Sequence, residues 1–81
     1  MKHELKMLPK FFEKVSDGTK TFEVRFNDRN FKVGDHLILR EYENGEYTGN
    51  IVYKIITYIL NHHEFDGLKE NYVVLGIKND Y

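Results

Sequence analysis

A chain of 81 residues holds one domain, 1–81, too small for a deep core and for much more than a single site. Hydrophobic residues at 41% and charged residues at 31% describe an ordinary soluble globule. No apolar run approaches the roughly 20 residues that span a bilayer, Met1–Lys6 lacks the apolar stretch of a secretory signal, and there is no cysteine, so the expected location is cytoplasmic. The net charge of −1 argues against coating of long duplex DNA. Its distribution is uneven: residues 1–32 carry eight Lys/Arg against five Asp/Glu, a balance of +3, and residues 33–81 carry four against eight, −4. A local positive surface of that kind suits a small anionic ligand or a short nucleic-acid segment.

In chain order, His3–Met7 predicts a short first strand leading into Leu8-Pro9. Pro9 fits the first turn of a helix, where its missing N–H costs nothing, and Gly18 fits the position just past the helix end. Between them Leu8, Phe11, Phe12 and Val15 recur at spacings of three and four, opposite Lys10, Glu13, Lys14 and Asp17. This predicts a two-turn amphipathic helix whose aromatic stripe joins the core. Phe22, Val24 and Phe26 then alternate with Thr21, Glu23 and Arg25, predicting a strand over Thr21–Phe26 with apolar residues on one face and charges on the other.

Asn27–Asn30 is a polar turn, and Phe31–Asp35 delivers the chain into a strand over His36–Tyr42. Asn44-Gly45 signals a hairpin, with Thr48-Gly49 arguing for a loop longer than two residues. Ile51–Leu60, apolar on both parities, predicts the central strand, covered at least partly on both faces. Asn61–Lys69 is a polar loop with room for a short helical turn, and Tyr72–Ile77 predicts the last strand. Roughly five strands and one helix without βαβ alternation predict an α+β fold, a mostly antiparallel sheet curled into a β-pseudo-barrel with the helix as its cap.

The chemistry concentrates between Gly18 and Arg25. Glu23 and Arg25 would share a strand face, and a turn after Gly18 would swing the Lys20 amine toward it, giving one acceptor and two donors. An Arg fork grips phosphate bidentately, Lys acts as a point charge, and a carboxylate accepts from a base amino group such as cytosine N4. Stacking faces would come from among the twelve Tyr and Phe. The structural alternative is an ion-pair cluster that pins the turn to the barrel rim.

Lys6 borders the same cleft if the first strand does, or is merely solvated. Arg29 contacts ligand or pairs with Asp28 or Asp35, whose own fit is to turn bonds. His62-His63-Glu64 lacks HxxxH or HExxH spacing, and adjacent histidines on an extended chain face opposite ways, so no metal and no cofactor are expected. Tyr42, Tyr47, Tyr53 and Tyr58 read as sheet packing.

Gly18-x-Lys20-x-x-Glu23-x-Arg25, followed by Phe31-x-Val33-Gly34-Asp35, resembles the signature of ASCH domains in the PUA-like superfamily of small β-barrels. His3-x-Leu5-Lys6 and Tyr72-Val73-Val74-Leu75-Gly76-Ile77 resemble a short branch of that superfamily found in bacteria and phages, and the likeness runs through nearly the whole chain. It implies a pseudo-barrel with a cleft beside the helix that binds RNA or modified nucleobases. Lys20 and Arg25 would be its phosphate or base contacts, and Glu23 a lining carboxylate.

Some ASCH-like proteins resemble amidohydrolases that deacetylate acetylcytidine with a Lys, a Thr three residues on and a later Glu. Here that third position is Glu23, Thr21 would point off the shared face, and only Glu64 and Glu70 follow as later acids. The expected function is therefore an RNA- or modified-nucleotide-binding module lined by Lys20, Glu23 and Arg25, with Arg29 and Lys6 at its border. Two alternatives stand beside it. One is a small hydrolase of an acylated nucleoside or RNA using Lys20 and Glu23. The other is a phage or bacterial accessory domain that binds a host protein through its acidic half.

Overall fold

A computed structural model describes residues 1–80; Tyr81, the last residue of the expected 1–81 domain, lies outside the described residues. The elements are β1 (Lys2–Met7), α1 (Pro9–Ser16), β2 (Phe22–Phe26), β3 (His36–Glu43), β4 (Glu46–Asn61), a 3-10 turn at His62–Glu64 and β5 (Tyr72–Asn79). All five strands form one sheet in the order β1-β3-β4-β5-β2. β1 runs parallel to β3, and the other three pairings are antiparallel. The sheet curls so that its two edges, β1 and β2, approach each other, and α1 packs beside the gap, giving an α+β pseudo-barrel.

The helix begins where expected. Pro9 occupies its first turn and the Leu8 carbonyl accepts from the Phe11 and Phe12 amides at 3.0 and 2.9 Å. Gly18, at φ +87°, lets the chain turn back after the last turn. Only half of the expected apolar stripe is core: Phe12 and Val15 are buried, whereas Phe11 and Leu8 remain 43% and 56% exposed. Eight residues are too short to press a four-residue stripe against a curved sheet, so Leu8 and Phe11 lie at the rim.

Two features of the β3–β4 pair go beyond the expected strand pattern. β3 and β4 are joined by two residues, Asn44 and Gly45, both at positive φ (52° and 85°), so the hairpin is tighter than Thr48-Gly49 suggested. Gly49, at φ +98°, lies inside β4 instead, opposite the irregularity of register between Arg40 and Tyr42. A second register shift between Ile56 and Tyr58 changes which parity of β4 faces inward. Ile56 is buried before it and Ile59 packs on the core after it, while Ile51, Tyr53 and Tyr58 are exposed. The apolar residues on both parities of β4 therefore reflect the bulge, and the outer face is covered only in part, at Ile55 and Leu60.

The fully buried interior is made by Leu37 and Leu39 of β3, Ile56 of β4, Val73 and Leu75 of β5 and Val15 of α1. Each contributes on the order of 1.5–3 kcal/mol of apolar transfer, and together they make one small core, as a domain of this size permits.

Candidate functional site

β2 completes the barrel with the opposite polarity from β3. Its charges look inward and its apolar side chains outward: Glu23 is 4% exposed, whereas Phe22, Val24 and Phe26 are about half exposed. Register explains the inward set, since Glu23 lies opposite Leu75 and Arg25 opposite Val73, both interior positions of β5. Backbone pairing stops there, because the far edge of β2 meets no strand among the described residues.

Side chains bridge that gap. Arg25 Nη2 donates to the Lys6 carbonyl oxygen of β1 at 2.9 Å and touches Met7 Sδ at 3.2 Å, while its Nε donates to Glu23 Oε2 at 3.1 Å. Lys20 donates to the other Glu23 oxygen and, at 2.6 Å, to the Phe22 carbonyl. The turn after Gly18 aims Lys20 there, held by its amide on the Lys14 carbonyl at 2.9 Å. The three expected residues thus form one cluster: a buried carboxylate with a cation on each oxygen and a net positive charge.

Around this cluster the seam opens into adjoining hollows. One of about 410 Å³ is bounded by Lys6, Arg25 and Arg29 together with Phe26 and Tyr47. A second, about 230 Å³, shares Lys6 and Arg25 and extends to Leu8, Phe11 and Glu23. A third, about 320 Å³ and mostly apolar, is walled by Phe11, Lys20, Phe22 and Val24. All five predicted site residues, Lys6, Lys20, Glu23, Arg25 and Arg29, line this run of hollows.

The acids beside them are engaged locally. Arg29 Nε lies 3.7 Å from Asp28 Oδ1, and Glu4 accepts from Arg40 Nη1 at 2.6 Å. Lys6 is not simply solvated; its ammonium sits 4.4 Å from the centroid of Tyr42 and 5.9 Å from that of Tyr47.

Sequence reasoning missed the aromatic walls. Tyr47 packs edge-to-face on Tyr42 at 5.1 Å with the Arg40 guanidinium 3.8 Å from its ring centre, yet it borders the largest of the three hollows. The tight Asn44-Gly45 turn, which sets Tyr42 opposite Tyr47, was the available signal. Phe11 and Phe26 were missed because apolar periodicity reads as core wherever it occurs.

Two other polar groups have structural work. Asp35 accepts from the Lys32 amide at 3.1 Å, lies 2.7 Å from His3 Nε2 and 3.2 Å from the Met1 amino nitrogen, and His3 packs edge-on against Phe31. The His3 bond, followed by the Lys32 amide and the amino group, holds the Asp35 carboxyl below its ordinary 3.8. In the 3-10 turn, Glu64 accepts from the Asn61 amide and His62 Nδ1 from the Asn71 amide, so both serve the loop. Among the described residues, no three metal-ligating side chains come together.

A family profile described as a domain of unknown function, DUF3850, matches residues 2–77. The chain belongs to the DUF3850 family. The matched span contains both strands of the seam and all five candidate residues. This DUF3850 chain is also similar to the uncharacterized 12.9 kDa protein in the GpA 3′ region of Escherichia phage P2, at 40% identity over 73 residues. That alignment takes in 90% of this chain and 64% of the phage protein, so the chain spans just under two thirds of its relative's length. No helix among the described residues of this DUF3850 chain is long and apolar enough to cross a membrane.

Proposed function

We propose that this DUF3850 chain is an ASCH-like member of the PUA-like superfamily that binds RNA or a modified nucleotide in the seam between β1 and β2. The observation that carries the reading is the setting of Arg25. Its guanidinium is fixed by Glu23 on one side and the Lys6 carbonyl on the other, and it stands between two hollows that Lys6 lines with it. A cation oriented before the ligand arrives loses little freedom on binding. Arg29 and Lys6 supply further positive charge, and Phe26 and Tyr47 supply faces on which an unstacked base rests.

Glu23 holds the two cations in place. With both oxygens engaged, it is poorly placed to take a proton from a nucleophile or to accept from a base, which favours recognition over hydrolysis.

The test is titration of short single-stranded RNA at two salt concentrations against the wild type and a Lys6→Ala/Arg29→Ala variant, whose changes lie on the surface. The variant should bind several-fold more weakly, with a salt slope smaller by about one for each phosphate that is no longer neutralised. Absence of binding at low salt, or identical curves for the two proteins, overturns the reading. A panel of acylated nucleosides with Glu23→Gln as control checks for turnover, which the binding reading expects to be absent.

A further inference from the structure

At the end of the barrel below the C-terminus of α1, the interior face of β4 carries a lysine. Lys54 continues the inward set of Val52 and Ile56, pairs in register with Leu37 and Asn79, and is 6% exposed. Its ammonium donates to Asn79 Oδ1 at 2.5 Å, a neutral acceptor, and no carboxylate among the described residues pairs with it. Burying an ammonium without a counter-charge is unfavourable, so such a group ordinarily has an anion beside it.

Lys54 also lines a hollow of about 410 Å³ whose walls include Lys20, Lys78 and Asp17. Asp17 is committed elsewhere: its Oδ1 accepts from the Thr19 amide at 2.8 Å and its Oδ2 lies 4.0 Å from Lys14. Lys20 is half neutralised by Glu23. That leaves Lys54 and Lys78 as positive charges lining a roomy polar space with no anion of their own among the described residues.

We infer that this hollow is a phosphate subsite centred on Lys54, completed by Lys78 and Lys20. The subsite deepens the seam reading and rests on it for the identity of its ligand. Lys20 is the wall shared with the apolar hollow of Phe11 and Phe22, so the depressions form one track from Arg29 to Lys54 along β2. Five residues of strand extend roughly 16 Å, a length that one mononucleotide does not cover. The ligand class is therefore a single-stranded polynucleotide, its bases at the seam and a flanking phosphate on Lys54.

Two measurements decide this. The first uses inorganic phosphate alone: at matched ionic strength it should raise the melting temperature of the wild type above that in chloride. The rise should vanish in Lys54→Met and shrink in Lys78→Ala, a surface change that keeps the test valid if Lys54→Met folds poorly. Equal melting temperatures of the wild type in the two salts, or a rise retained in full by both variants, overturn the subsite.

The second compares uridine monophosphate with oligouridylates of roughly two to eight nucleotides. Wild-type affinity should grow with length, and Lys78→Ala should lose several-fold on the longest oligomer only, with a salt slope lower by about one. A full length gain in both variants overturns the subsite and leaves the seam reading standing. Phosphate stabilisation that depends on Lys54, with no oligomer bound by the wild type, overturns the seam reading and the polynucleotide assignment, and supports the subsite for free phosphate alone.

Discussion

Where β3, β4 and β5 meet, the barrel wall is closed by backbone ladders, interrupted only at two bulges, over an inner face that includes Leu37, Leu39, Ile56 and Leu75; where β1 and β2 meet, no ladder forms among the described residues and β2 turns Glu23 and Arg25 inward. The first wall is sealed by groups that have no other partner to find. In the second, one guanidinium reaches across a gap, held by a carboxylate that is itself buried. A ladder leaves no opening between its strands, whereas a side-chain bridge leaves hollows on either side of it. The weaker closure is thus where recognition is possible, and it lies in the basic part of the sequence.

The comparison breaks most sharply at Glu23. Removing it with Glu23→Ala leaves two cations facing each other without a counter-ion and should cost about 3 kcal/mol, the low end for a broken buried pair because both cations keep some exposure to water. Urea denaturation measures this. A variant as stable as the wild type would mean that Lys20 and Arg25 swing out and the seam closes without them.

Asp35 sharpens the contrast as the other buried carboxylate among the described residues, one committed to His3, the Lys32 amide and the amino terminus. Asp35→Asn should cost about 2 kcal/mol at neutral pH, the scale of hydrogen bonds to a charged group. Its folded pKa is depressed below 3.8, chiefly by His3, so its contribution is fully present above 3.8 and is lost as pH falls through the folded value. Urea midpoints taken from neutral pH to below 3.8 should fall more steeply for the wild type than for the variant. Parallel acid limbs would show that this carboxyl does not drive the loss.

Arg25→Lys keeps the charge and gives up the fork. It should cost about 1 kcal/mol through removal of the bond to the Lys6 carbonyl, and faster amide exchange should appear at the β1 and β2 edges but not in β4. Uniform exchange across the sheet would dissolve the distinction between the two walls. The smallest stability effect belongs to Arg29→Ala, within about 0.5 kcal/mol, because its pairing with Asp28 is exposed. Its RNA affinity should nonetheless fall several-fold, which a titration at low salt reads directly.

Much of this architecture was legible beforehand for identifiable reasons. Pro9 and Gly18 bracket the helix by their backbone preferences, and Asn44-Gly45 supplies the two positive φ values of a tight hairpin. The bulge near Thr57 was not legible, because a run of β-branched residues is compatible with a straight strand and a kinked one alike. Nor were Phe11, Phe26 and Tyr47 legible as cleft walls, since exposure at a rim depends on where the sheet stops curling.

The order of residues alone determined that Phe22, Val24 and Phe26 part company with Glu23 and Arg25, because a strand alternates whatever surrounds it. Which set looks inward was decided by tertiary structure. β2 sits at the end of the strand order, it pairs on one side only, and the remaining gap to β1 is crossed by a side chain long enough to reach a carbonyl oxygen. The inward charges follow from that unclosed edge, and local periodicity holds no record of an edge whose would-be partner begins some twenty residues earlier.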